Sequence, residues 1–376
     1  MIDSTRYRSR QQQICDYLGA KNTEVGVILD FEGLRNQSLR YLSGQPADAL
    51  LFLFAKGESL LVPWDVPMAR SLATADKLMP YESYGRSIFD CIKAIFQEGH
   101  IGRAELSGIL SYPLVKALKK ALPGVEMKCW DRGIDETIYV MRMVKDSEEI
   151  ELLRQACRIT DALIEAVPVV LDDAKNVSEV QLALFLEAEA RKRGAEGMGF
   201  DTLAASAKRS FAIHCFPNFT SDRFGTEGFS ILDFGVRFAG YTSDVTITVV
   251  RGPLNSKQEA MGAAVQQAYD LAQTLCEPGA DPVLVGNQVQ EFFENRGFHM
   301  PHSLGHGIGL DAHEAPLFRL PKRNDGQEKP RLMNGMVFAM EPGLYDPEQG
   351  GVRLENDFLC TAQGTEVLTT ARILYL

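Results

Sequence analysis

The stretch "FSILDFGVRFAGYTSDVTITVV" (229–250) restricts this chain more than any other. Apolar residues flank a turn region between Gly235 and Gly240 and alternate through the second arm, the pattern of a hairpin with one packed face. Val245, Ile247 and Val249 define that face, and Asp244 lies on the other with Thr246 and Thr248. A turn centred between Phe238 and Ala239 makes Asp233 and Asp244 direct cross-strand partners, with Cβ atoms ~5 Å apart. Two carboxylates that close repel each other unless a proton or a cation lies between them. The alternative is a pair of solvated aspartates at a hairpin mouth.

Further carboxylates favour the cation. "NGMVFAMEPGLY" puts Glu341 at the end of an apolar strand, just before Pro342-Gly343, and "GGVRLENDFLC" puts Glu355 in the next strand, two residues after Arg353. A carboxylate drawn into such strands has left water and needs a partner. Of 6 histidines, His299, His302, His306 and His313 fall in or beside "HSLGHGIGLDAHEAP". Imidazole is the commonest metal ligand. Gly305, Gly307 and Gly309 let the backbone carrying His306 come close to a reactive centre. Four carboxylates and one imidazole suit two divalent cations ~3.5–4 Å apart, sharing a hydroxide and clamping a carbonyl. Oxygen ligands favour Mn²⁺ or Mg²⁺; the imidazole tilts the choice toward Mn²⁺, Co²⁺, Fe²⁺ or Zn²⁺. His306 and His313 lie seven residues apart, one able to bind metal while the other stays free for proton or oxyanion work.

Composition narrows the partners. A net charge of −11 and the lack of a basic run argue against nucleic acid. No apolar run approaches the ~20 residues of a membrane-spanning helix, and the N-terminus lacks the apolar core of a secretory signal. Seven scattered cysteines with no C-x-x-C read as reduced thiols, so a cytoplasmic protein is expected.

Along the chain, "VGVILDF" and "ALLFLFAKGESLLVPW" (49–64) read as buried strands, the second a hairpin turning at Lys56-Gly57. "IFDCIKAIFQEG" reads as a helix stopped by glycine, and Lys119 and Lys120 as the solvated face of another. Asp146 and Glu149 have capping-box spacing for a helix with Ile150, Leu153, Cys157 and Ile164 on its apolar stripe. Helices follow over Ser178–Arg193, from a cap at Ser256 to Pro278-Gly279, and from a cap at Asp281 to Gly297. The texture change near residue 140 divides the chain into a smaller α/β domain (1–140) and a larger α+β domain (141–376).

Asp233, Asp244, His306, Glu341 and Glu355, within "LDFG…GYTSD", "GHGIGLDAHE", "MEPGLY" and "VRLEND", resemble the ligand set of the pita-bread metallopeptidases. That family includes aminopeptidase P, prolidase, methionine aminopeptidase and, without metal, creatinase. The match spans roughly residues 140 to 376 with every ligand position filled in order. "LRYLSG" and the hairpin after it resemble the creatinase-like N-terminal domain of the proline peptidases, which methionine aminopeptidases lack.

The resemblance implies an α+β pita-bread catalytic domain behind a smaller creatinase-like α/β domain. It implies that Asp233 binds one metal, His306 and Glu341 the other, and that Asp244 and Glu355 bridge both. Glu341 also takes a proton from the attacking water. His313 and His214 (in "AIHCFPN") match paired histidines that hold the carbonyl oxygen and substrate termini, His302 a further active-site histidine, and Arg353 an arginine that braces the bridging carboxylates. For His302 a loop cap, and for Arg353 a plain buried ion pair, are the simpler readings. The expected activity is metal-dependent hydrolysis of Xaa-Pro bonds in proline-containing peptides, with Mn²⁺ as the expected ion, by a homodimer. The alternatives are a hydrolase of a small non-peptide amide and a non-catalytic protein-binding relative. Prolidases place an arginine directly after the "HE-x-P" element; here Leu317 stands there, with Arg319 and Arg323 nearby, so dipeptide and longer-peptide preference both stay open.

Overall fold

The computed structural model describes residues 3–130, 132–173, 176–319 and 331–376. Two compact units divide the chain, Met1–Arg142 and Met143–Leu376.

The first unit is built on a mixed six-stranded sheet. Its strand Val25–Asp30, buried at every position, pairs antiparallel with Ala49–Phe54 and parallel with Arg103–Ser107. Ala49–Phe54 returns as Ser59–Pro63, and the turn closes where Gly57 N donates to Phe54 O at 2.9 Å. Gly57 has φ +96°, a conformation that favours glycine, so the hairpin turns where its sequence places it. Helices Ile88–Glu98 and Tyr112–Ala121 connect the parallel edge; Lys119 and Lys120 are exposed at the end of the second, as expected. The polar N-terminus also forms a helix, Ser4–Ala20, which the sequence reading did not foresee. Only Ile14, Cys15 and Leu18 supply its apolar buried contacts, too thin a stripe to stand out among polar residues.

The second unit packs long helices against sheets that are antiparallel except where Ile373–Tyr375 pairs in parallel with Val245–Arg251. Helix Ser147–Asp173 opens with the expected reciprocal cap: Asp146 N donates to Glu149 Oε2 at 3.0 Å, and Glu149 N to Asp146 Oδ1 at 3.1 Å. It runs on through Pro168 rather than ending before it. Helix Glu179–Lys192 is capped by Ser178, and Pro282–Glu294 by Asp281. Helix Ser256–Leu275 is capped by Asn255, not Ser256; the Asn255 side chain accepts from the backbone N–H groups of Lys257 and Gln258. A cap must lie one residue before the first helical turn, and Asn255 holds that place.

Two sheets carry the unit's core. One orders Ile373–Tyr375, Val245–Arg251, Gly228–Phe234 and Leu203–Ala205; the other Glu314–Leu317, Gly305–Gly307, Val337–Met340, Asn356–Thr361 and Gly364–Val367. A bridge between Thr246 and Glu355 joins them. Val245, Ile247 and Val249 face the apolar core with Phe229, Phe234 and Phe338. The central hairpin differs from expectation in register. Ala239 and Gly240 both have positive φ and form the turn, so Phe238 pairs with Tyr241 and Asp233 with Thr246. Moving the turn centre by one residue moves every cross-strand partner by two. Asp244 therefore keeps Asp233's face and becomes its diagonal neighbour instead of its direct partner.

Candidate metal centre

The residues singled out from sequence come from different strands of this second unit. Asp233 is on Gly228–Phe234, and Asp244 immediately precedes Val245–Arg251. His306 is central in Gly305–Gly307, Glu341 follows Val337–Met340, and Glu355 links Gly350–Arg353 to Asn356–Thr361. Asp244, His306 and Glu355 each offer a donor atom within 4.8 Å of the others, and all three are buried. His306 Nε2 is 3.8 Å from Asp244 Oδ2 and 3.6 Å from Glu341 Oε1. These separations are too long for hydrogen bonds and suit donors facing a common centre.

The glycines around His306 serve its neighbouring strands. A Cβ at Gly305 would lie 2.1 Å from Ala339 O, and one at Gly307 2.0 Å from Ala315 O. His306 is thus clasped between Ala339 and Leu317 on either side. The glycines permit close backbone packing, which in turn places the imidazole; sequence reading had assigned them to the approach toward metal. His306 Nδ1 donates to Gly307 O at 3.2 Å, leaving the Nε2 lone pair directed at the carboxylates. Burial drives the His306 pKa down to about 3, so the ring is a neutral ligand at physiological pH.

Burial and mutual repulsion act the opposite way on the acids. Desolvation, then Glu355, push Asp244 and Glu341 well above the ordinary carboxylate range. Glu355 rises to about 7, chiefly by desolvation and then by Asp233. Thr246 Oγ1 donates to Glu355 Oε2 at 2.6 Å and accepts from Arg353 Nε at 2.9 Å. Arg353 Nη2 donates to Asp233 Oδ2 at 2.5 Å, while Asp233 Oδ1 is buried with no hydrogen-bond partner among the described residues. An unused carboxylate lone pair, acids held at high pKa and a neutral imidazole are what divalent cations would satisfy. The donor set fits them.

Around this centre the other histidines take distinct places. His313 stacks near His306, with ring centroids 3.9 Å apart, and partial desolvation lowers its pKa. His214 is exposed and lies near enough to Asp233, His302 and His313 to couple to them electrostatically. His302 has both ring nitrogens engaged: Nδ1 with Ser303 O at 2.8 Å and Nε2 with the Tyr345 hydroxyl at 3.1 Å. The loop contact matches the simpler reading of His302, and the Tyr345 contact ties it to the site. Tyr345 was not singled out from sequence. Its hydroxyl accepts from Arg353 Nη1 at 2.7 Å and joins His302 to Asp233 through that guanidinium. Asp357 was also missed; its Oδ2 accepts the Asp244 backbone N–H at 3.0 Å from behind. The "MEPGLY" motif carried a signal for Tyr345, since a tyrosine two residues past a glycine in a strand next to Glu341 has its hydroxyl within reach of the site. Asp357 had none, because acids next to "LEN" read equally well as surface.

Lys145 Nζ and Glu314 Oε1 form a buried ion pair at 2.7 Å, fixing the residue next to His313. Arg319 is exposed, and its charge acts on His313; Arg323 lies outside the described residues.

The family model for metallopeptidase family M24 matches residues 151–362, and the creatinase/prolidase N-terminal domain model matches residues 12–144. The chain belongs to metallopeptidase family M24, and its second unit has the pita-bread fold. It is 31% identical over 340 residues to the Xaa-Pro dipeptidase of Pyrococcus horikoshii, covering 89% of this chain and 91% of that protein. Its fold is similar to the crystal structure of the Pyrococcus horikoshii prolidase, with TM-score 0.83 and 26% identity over 97% of this chain and 99% of that one. The X-Pro aminopeptidase from Thermotoga maritima is similar to the same extent, with TM-score 0.83 and 26% identity over 97% and 99% of the two chains. Among the described residues no helix is long and apolar enough to cross a membrane.

Proposed function

We propose that this chain hydrolyses the Xaa-Pro bond of proline-containing peptides at a centre for two divalent cations, with Mn²⁺ the expected ion. The observation that carries the reading is the convergence of donor atoms of Asp244, His306 and Glu355 within 4.8 Å of one another, with Asp233 Oδ1 buried and unpartnered among the described residues. Asp233 would hold one cation, His306 and Glu341 the other, with Asp244 and Glu355 shared. When bound, the cations supply Lewis-acid polarisation of the scissile carbonyl and an acidified water.

The side chains supply the rest. Glu341, the carboxylate most open to solvent in the set at 20% side-chain exposure, receives the water's proton. His313, neutral at physiological pH, offers an N–H to the carbonyl oxygen, and His214 holds the substrate across the site. Arg353 opposes the desolvation that raises the Asp233 pKa, and it orients that carboxylate. His302 fixes Tyr345. A proline amide has no N–H, so a site that works through the carbonyl suits this bond.

Two observations bear on substrate length. Arg319, charged and close enough to act on His313, supports capture of a free proline carboxylate and hence a dipeptidase. Leu317 at the position after "HE-x-P" supports the longer-peptide reading. Hydrolysis by metal-stripped protein, with and without added Mn²⁺, separates them on an Ala-Pro dipeptide and an Ala-Pro-Xaa peptide. Metal-dependent cleavage of the dipeptide alone establishes the dipeptidase, and cleavage of the longer peptide the aminopeptidase. Silence on both with metal bound would overturn the proline reading in favour of a small-amide hydrolase.

A further inference from the structure

His214 makes no side-chain hydrogen bond with the described residues and is exposed at the apex of the loop between Leu203–Ala205 and Gly228–Phe234. A side chain without its own anchor is held only as well as its backbone. That backbone is tied to one carboxylate, Glu179, which is fully buried in the first turn of helix Glu179–Lys192.

Glu179 gathers both stems of the loop. Its Oε1 accepts from Ser206 N at 2.7 Å on the outgoing stem. Its Oε2 accepts from Thr220 N at 2.7 Å and Thr220 Oγ1 at 2.8 Å on the returning stem. The same Oε2 accepts from Arg209 Nη1, and Arg209 Nη2 donates to Pro217 O, three residues past His214. On the opposite side Arg353 Nη1 donates to Ile213 O at 3.3 Å. The residues flanking His214 are therefore gripped by two arginines, one belonging to the metal-centre network and one to Glu179.

We propose that the pair of buried Glu179 and half-buried Arg209 is a clamp that presents His214 to the substrate, making Arg209 a positioning residue for the reaction. This rests on the role given to His214 above. The chemistry requires arginine: one planar guanidinium spans a carboxylate and a carbonyl at once, whereas an ammonium on a flexible stem is a point donor. Charge-assisted hydrogen bonds to a desolvated carboxylate also make this the firmest tether the loop has.

Arg209→Lys keeps Glu179 neutralised but gives up the bridge to Pro217. It is compared with His214→Ala and with the double variant, on the Mn²⁺-loaded full chain. Expected is a loss of kcat/KM on the better peptide of about tenfold for Arg209→Lys, the scale of one charge-assisted hydrogen bond. Bound metal and unfolding temperature should stay at the wild-type level. The double variant should be no slower than His214→Ala alone, because Arg209 acts through His214. Losses that multiply in the double variant, or a wild-type rate for Arg209→Lys, would overturn the clamp. Hydrogen exchange of amides 211–216 and 218 reads the same tether without catalysis, and should quicken about tenfold in Arg209→Lys. If the wild-type chain cleaves neither peptide, the substrate reading fails by itself and exchange decides the clamp, with unchanged protection overturning it.

Discussion

Arg353 Nη2 reaches Asp233 Oδ2 at 2.5 Å, and the other carboxylate oxygen of Asp233 is buried without a hydrogen-bond partner among the described residues. One oxygen is neutralised by the guanidinium while the second keeps its lone pairs for another partner. The arrangement needs a guanidinium, because Arg353 also serves Thr246, Tyr345 and Ile213. Arg353→Met is expected to leave Asp233 buried and unpaired, a change that costs about 3–5 kcal/mol for a buried pair broken on one side. Urea unfolding should show that loss, and metal analysis should show reduced occupancy in the variant. Unchanged values for both would make Arg353 a bystander.

The carboxylate pKa values set how stability depends on pH before metal is added. A carboxyl whose folded pKa stands above its unfolded one binds more protons in the folded state, so folding weakens as pH rises. For Glu355 the interval runs from its ordinary value of 4.5 to about 7. Asp244 and Glu341, also raised, extend the same trend. The metal-stripped protein is thus expected to lose unfolding temperature across that interval, and saturating Mn²⁺ should remove most of the loss by giving the ionised acids a partner. Thermal scans of both forms in steps of one pH unit check this. Parallel curves with and without metal would contradict it.

Arg319 separates binding of a free carboxylate from the chemistry. Its exposure makes Arg319→Ala neutral for folding, and its charge acts on His313, the basis of its proposed contact with a dipeptide's terminus. The expected outcome is a KM for Ala-Pro raised by about tenfold, as for loss of one charged hydrogen bond at a binding site, with kcat nearly kept. The KM for a longer peptide should not move. Equal effects on both peptides would remove Arg319 from the substrate site.

Much of this architecture was legible in the residues because local chemistry and global fold agree. Alternating Val245, Ile247 and Val249 define a core face whatever the turn, so the strand and its polar side were readable. The partner of Asp233 was not. It depends on which two residues take positive φ, and "FAG" offers two choices that sequence does not rank; Ala239-Gly240 was the pair adopted. The candidate ligands could be named because carboxylates in apolar strands require an explanation, and that argument survives an error in register. Tyr345 and Asp357 escaped it for opposite reasons. Tyrosine is at home in a strand without any function, and Asp357 shows its burial only once the helix carrying Cys157 packs over it. The clamp on His214 was beyond reach, since Glu179 opens a helix where an acid is expected anyway. Its contacts come from residues 206–220, far along the chain.

Titrating the metal-stripped chain with Mn²⁺, while following both bound metal and Ala-Pro cleavage, tests the central claim most directly. The site described here predicts two equivalents bound per chain, with the rate of cleavage rising as the second is taken up. Binding that stops at one equivalent with full activity, or cleavage that proceeds without metal, would contradict it.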